Sequence, residues 1–161
     1  MADKITLTVP GALRYRAVAV RVVAEAARLV SGSRQRDEQD LLADDVKHPF
    51  DMAVVSAFME IFNNVAIHAY EREPTGRIEI SITPGPRELV IEVSDQGQPF
   101  DPALVPSLPS EWDPQSLPEG GMGLHIARTM LDDVTYQPGP PNRWRLFKRL
   151  PTETEPTAVR S

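Results

Sequence analysis

The chain has 161 residues, 41% of them hydrophobic and 25% charged, and a formal charge of −6; that is enough chain for a sizeable core without metal or disulfide staples. It contains no cysteine, which excludes a disulfide framework, a zinc–thiolate centre and a thiol nucleophile. The acidic balance argues against nucleic acid as the main partner, because phosphate backbones call for clustered Lys and Arg.

No signal-peptide pattern opens the sequence, and no apolar run is expected to span a membrane. A cytoplasmic protein is the expectation. Ile5-Thr6-Leu7-Thr8-Val9 alternates cleanly and predicts a half-buried strand closed by Pro10-Gly11. Residues 13–30 predict a helix with Val18, Val22, Ala26 and Leu29 on its apolar side, ended by Ser31-Gly32-Ser33. Residues 34–47 are densely charged around Leu41-Leu42 and predict a surface connection.

The next stretch, 50–70, is apolar and free of Gly and Pro, and predicts a core helix. At about 100° per residue, Met52, Val55, Met59, Phe62, Ala66 and Ala69 share one side, extended by Val54, Phe58, Ile61 and Val65. Glu60, Asn64 and His68 stack four apart along the other side, with Ser56 and Asn63 beside them. A polar strip on a core helix is usually its solvated face. Solvated faces favour Lys, Arg and Glu, however, whereas this strip carries two adjacent amides.

A hairpin follows Glu73-Pro74-Thr75-Gly76: Ile78, Ile80 and Ile82 alternate, Pro84-Gly85-Pro86 turns the chain, and Leu89, Ile91 and Val93 alternate back. Val93-Ser94-Asp95-Gln96-Gly97 ends the second strand. An Asp-x-Gly here reads either as a turn or as an acceptor for an exocyclic amine, with Gly97 giving a flat ring access to the backbone. Six prolines between 99 and 118 predict a long irregular loop or lid. Gly120-Gly121-Met122-Gly123-Leu124 is then either a hinge or an anion-binding turn at a helix N-terminus. The helix it opens carries Leu124, Ala127, Met130 and Leu131 on one side. Closing strands are predicted at Val134-Thr135-Tyr136 and from Trp144 to Leu150, where Arg143, Arg145, Lys148 and Arg149 form a strand face. Residues 151–161 make a polar tail. The order predicts an α+β fold, a two-layer sandwich with helices on one face of a mainly antiparallel sheet.

Three motifs in this order, Glu60-x-x-x-Asn64-x-x-x-His68-Ala69, Asp95-x-Gly97-x-Pro99-Phe100 and Gly121-x-Gly123-Leu124, resemble the GHKL (Bergerat-fold) ATP-binding superfamily of gyrases, heat-shock chaperones, histidine kinases and mismatch-repair ATPases. The chain looks most like the bacterial serine/threonine kinases that act as anti-sigma factors in partner switching. The resemblance implies one ATP-binding kinase domain over 1–150, with a lid at 101–119. It implies that Asn64 offers an oxygen to Mg²⁺, that Glu60 orients or deprotonates the attacking hydroxyl, and that Asp95 reads adenine. Gly97, Gly121, Met122, Gly123 and Leu124 would complete the ATP site, and His68 would be structural. It also implies a STAS-domain antagonist as substrate, a sigma factor as a second partner, and a homodimer. The lid departs from expectation in having no Lys or Arg; its Trp112 is a candidate partner contact. A regulatory module that binds nucleotide and sequesters its partner without phosphotransfer is the competing expectation.

Overall fold

A computed structural model describes residues 3–33, 48–69, 76–101 and 123–152, with His68 described by its backbone alone. Five strands form one sheet: β1 (Ile5–Pro10), β2 (Arg77–Pro84), β3 (Glu88–Asp95), β4 (Asp133–Gln137) and β5 (Asn142–Arg149). Their spatial order is β1-β2-β3-β5-β4 and every neighbouring pair is antiparallel. The expected α+β architecture is therefore present. β5 inserts between β3 and β4, so the chain leaving β3 crosses to the far edge before it turns back.

The period-2 pattern sets which face is covered. Ile78, Ile80 and Ile82 on β2, Leu89, Ile91 and Val93 on β3, and Trp144 and Leu146 on β5 are all buried. Arg143 and Arg145 alternate with them and point to the open face. On the covered face lie α1 (Arg16–Ser31), α2 (Pro49–Asn64) and α3 (Gly123–Met130). A short 3₁₀ turn, Leu13–Tyr15, leads into α1.

α2 is the centre of that layer. It starts where its sequence dictates: Pro49 occupies the first turn, and His48 caps it by accepting the Phe50 N–H at 3.1 Å. Phe50, Val54, Ala57, Phe58, Ile61 and Phe62 are buried, with the Phe58 and Phe62 rings 6.0 Å apart. Met52, expected on this side, is 50% exposed. The buried face is therefore rotated away from Met52 and toward Ala57. Asp51 is also buried; its Oδ2 accepts from Ser33 Oγ at 2.7 Å, tying the end of α1 to the start of α2. An acid in the first turn is favoured by the helix dipole.

Two further expectations need correction. On α1 the buried residues are Ala19, Val23, Ala24, Ala26, Ala27 and Val30, while Val18 and Leu29 are 50% and 67% exposed. Alanine-rich helices carry several stripes of similar hydrophobicity, and the small residues win here because they let α1 lie close to α2 and the sheet. Secondly, Pro49–Ile67 is long and apolar enough to cross a membrane by length and hydropathy. Its apolar side is committed to the core formed with the sheet, α1 and α3.

This packing makes a direct prediction. Phe58→Ala, at a fully buried position, should lower unfolding free energy by about 3–5 kcal/mol in a urea titration. Leu29→Ala should change it by no more than about 0.5 kcal/mol, the opposite of what the sequence-predicted face of α1 implies.

Candidate functional site

The regular α-helix stops at Asn64, and Val65–Ala69 continue as a wider π-helical turn. Such turns redirect backbone groups out of the i→i−4 ladder. The Ala69 carbonyl leaves the helix and accepts the Gln98 N–H at 2.8 Å, joining the end of the helix to the loop after β3. Gly97 lies in the same contact. A Cβ there would collide with the Ala69 carbonyl oxygen and sit 2.6 Å from its carbon. Glycine is needed at 97 because a helix end packs on it, and that is a different reason from the ring access read off the sequence.

Asp95 ends β3 and is buried. Its Oδ1 accepts the Gly97 N–H at 2.9 Å and the Asn142 Nδ2–H at 2.9 Å. Burial pushes its carboxyl above the ordinary aspartate value of 3.8, and the two hydrogen bonds, from Asn142 and then from Gly97, act against that rise. Both bonds land on one oxygen; Oδ2 receives neither.

A cavity of about 310 Å³ opens beside this carboxylate, lined by Asn64, Val65, Asp95, Phe100, Tyr136 and Trp144 among others. Asn64 and Asp95, from distant parts of the chain, thus face one space. Three rings make one wall: Tyr136 lies 4.5 Å from Trp144, and Phe100 meets Tyr136 edge-on at 5.7 Å. Tyr136 Oη accepts the Phe100 N–H at 2.7 Å. Burial first, and then the Asp95 charge, raise the Tyr136 pKa above 10.0, so the phenol stays protonated. An apolar wall with one buried carboxylate suits a flat ring carrying a hydrogen-bond donor.

Glu60 lies one helical turn before Asn64 and is half-buried. It meets the first residue of α3: a Cβ on Gly123 would collide with Glu60 Oε2. The carboxylate therefore lies against the first described residue of that helix. On the other flank, Arg16 Nη1 donates to Asn63 Oδ1 at 2.8 Å, bracing α1 against α2. Leu124 is buried in the core, so only its backbone can face a ligand. Gly121, Met122, the lid at 101–119 beyond Asp101, and with it Trp112, lie outside the described residues, as does the side chain of His68.

Sequence reasoning missed Asn142 and the aromatic wall. The signal for Asn142 was present: a polar residue at an inward position of β5, in phase with Trp144 and Leu146. Among the described residues no group of three or more His, Asp or Glu side chains converges to hold a metal ion. A divalent cation here would rely on an amide oxygen such as that of Asn64 together with ligand oxygens, the arrangement Mg²⁺ adopts with phosphates.

The family profile described as histidine kinase-like ATPase domain matches residues 9–144. The chain is 35% identical over 86 residues to the Serine-protein kinase RsbW of Bacillus licheniformis, a stretch covering 50% of this chain and 53% of that protein. It is 34% identical over 86 residues to the protein of the same name from Bacillus subtilis (strain 168), again 53% of that relative. Against the one from Bacillus cereus (strain AH820) it is 29% identical over 136 residues, covering 82% of this chain and 76% of the relative. In the first two alignments the chain spans about half the length of the relative.

The contact at Ala69 can be tested. Gly97→Ala should cost about 1–3 kcal/mol of stability, the usual range for forcing a methyl into a filled space. In hydrogen exchange, the Gln98 amide should lose protection with it.

Proposed function

The chain belongs to the histidine kinase-like ATPase family, and we propose that it is a Mg-ATP-dependent serine/threonine protein kinase acting as an anti-sigma factor, with residues 1–150 as its ATP-binding unit. The observation that carries this reading is the shared cavity of Asn64 and Asp95, with Glu60 one turn away at the head of α3. The relatives named serine-protein kinases support a hydroxyl acceptor. By the same reading the substrate is a STAS-domain antagonist and the second partner is a sigma factor. β1, an edge strand, is available for pairing in a homodimer.

Each residue then has a task. Asp95 accepts the hydrogen bond of the adenine amine, and the rings of Phe100, Tyr136 and Trp144 exclude water from that side of the base. The Asn64 carboxamide offers its oxygen to Mg²⁺. Bound magnesium supplies the positive charge that the triphosphate requires. Glu60 takes the proton from the acceptor serine or threonine as its oxygen bonds to the γ-phosphorus and the bond to the ADP oxygen breaks. Gly121, Met122, Gly123 and Leu124 contribute backbone N–H groups to the phosphates, and Gly97 holds the Asp95 turn against the end of the helix.

One observation favours the alternative reading, a nucleotide-holding module that sequesters its partner without transfer. The segment 101–119 has no Lys or Arg to neutralise a γ-phosphate.

Incubation with γ-labelled ATP and a STAS-domain antagonist separates the two. Label should move to the antagonist, and Glu60→Gln should slow transfer by about 10²–10⁴-fold while ATP affinity stays within a few-fold. Transfer that survives the substitution removes Glu60 from its role; bound ATP without transfer selects the sequestering module.

A second expectation concerns pH. Asp95 accepts the amine as a carboxylate, so ATP affinity should fall as pH drops through its raised pKa and recover above it; calorimetry between about pH 4 and 7 reads this. Asp95→Asn should bind more weakly, with a flatter profile. The stability contribution has the reverse sign. The folded chain holds this proton more tightly than the unfolded one, so the group favours folding at acid pH, and that advantage is lost as pH rises through the folded pKa.

A further inference from the structure

Asn142 is 1% exposed and faces Asp95 as its direct cross-strand partner in the β3–β5 ladder. All of its donors are used: Nδ2 bonds Asp95 Oδ1 at 2.9 Å and the Gly97 carbonyl at 2.9 Å. Its Oδ1 accepts the Gly139 N–H at 2.9 Å. The amide cannot turn over. A flipped amide would set its oxygen against a carboxylate and a carbonyl, and its NH₂ against an N–H.

An aspartate carboxylate otherwise rotates broadly about χ2. Here two donors converge on one oxygen and fix the plane, and the carboxylate borders the cavity. We propose that Asn142 is the residue that sets nucleobase discrimination in this cavity: a positioning residue that pins one oxygen of Asp95 and presents the other to an exocyclic amine. The proposal rests on the nucleotide-binding reading above and adds to it a residue that reads the base only through Asp95.

A purely structural role is the rival, since Asn142 also ties down the β4–β5 turn through Gly139. The two roles differ in one measurable respect. Purine riboside triphosphate has the ring, sugar and phosphates of ATP with hydrogen in place of the amine. A residue that positions Asp95 for the amine affects ATP and leaves this analogue alone; one that only holds the fold weakens both alike.

The experiment is calorimetric titration of the full chain with each nucleotide in Mg²⁺, for wild type, Asn142→Ser and the similarly shaped Asn142→Leu, with circular dichroism to verify folding. Wild type should prefer ATP by on the order of 10- to 100-fold, the range of one hydrogen bond to a charged acceptor. In both variants that preference should collapse to about 2–3-fold, with analogue affinity unchanged. If Asn142→Ser does not fold, Asn142→Leu carries the comparison, because it approximates the shape and removes the donor to Oδ1 without placing a charge or an acidic proton beside Asp95. Equal weakening of both nucleotides, or a preference that survives in the variants, overturns the assignment of Asn142. A wild type that binds both equally shows that Asp95 does not read the amine and overturns it too. A wild type that binds neither overturns the nucleotide reading itself, and the proposal with it.

Discussion

The meeting of the Ala69 carbonyl with the loop after β3 is the constraint around which the site is built. The oxygen bonds the Gln98 N–H at 2.8 Å and leaves no room for a side chain at Gly97. Because Gly97 also donates to Asp95, the end of α2 and the carboxylate at the end of β3 are held in one small, filled volume. Asn64 precedes the π-helical turn and Asp95 precedes Gly97, so the distance across the cavity is set by this junction.

Burying a carboxylate is costly unless it is hydrogen-bonded. Asp95 meets that requirement with two bonds to one oxygen, from Gly97 and Asn142, and keeps a pKa raised by burial. Tyr136 shares the surroundings, and Trp144 and Phe100 close around it. The arrangement combines an aromatic wall with a few polar groups at its border, the Asp95 carboxylate and the Asn64 amide among them, the composition expected of a site that orients a flat ligand by directional contacts.

Much of this was legible in the sequence because the sheet has one covered face, and alternation in Ile78–Ile82 and Leu89–Val93 leaves no second register. The charge and amide pattern of Glu60, Asn63 and Asn64 was equally readable, because spacing of three and four residues fixes a helical face. α1 was misread because its apolar residues surround it, and only packing selects a side. The π-helical turn was invisible because residue preferences do not distinguish it from α-helix, and with it the reason for glycine at 97. Asn142 escaped because a lone Asn before an aromatic strand resembles the end of a turn, and its partner stands on another strand.

Glu60 and Gly123 close the opposite end of the site, and their contact has a consequence for how such a chain can diverge. A methyl at 123 would meet two parts of Glu60: the carboxylate Oε2, at the mobile end of the side chain, and Cβ, 3.2 Å away. Descendants with a shorter residue at 60 would relieve the first contact and keep the second, so position 123 would open only in part.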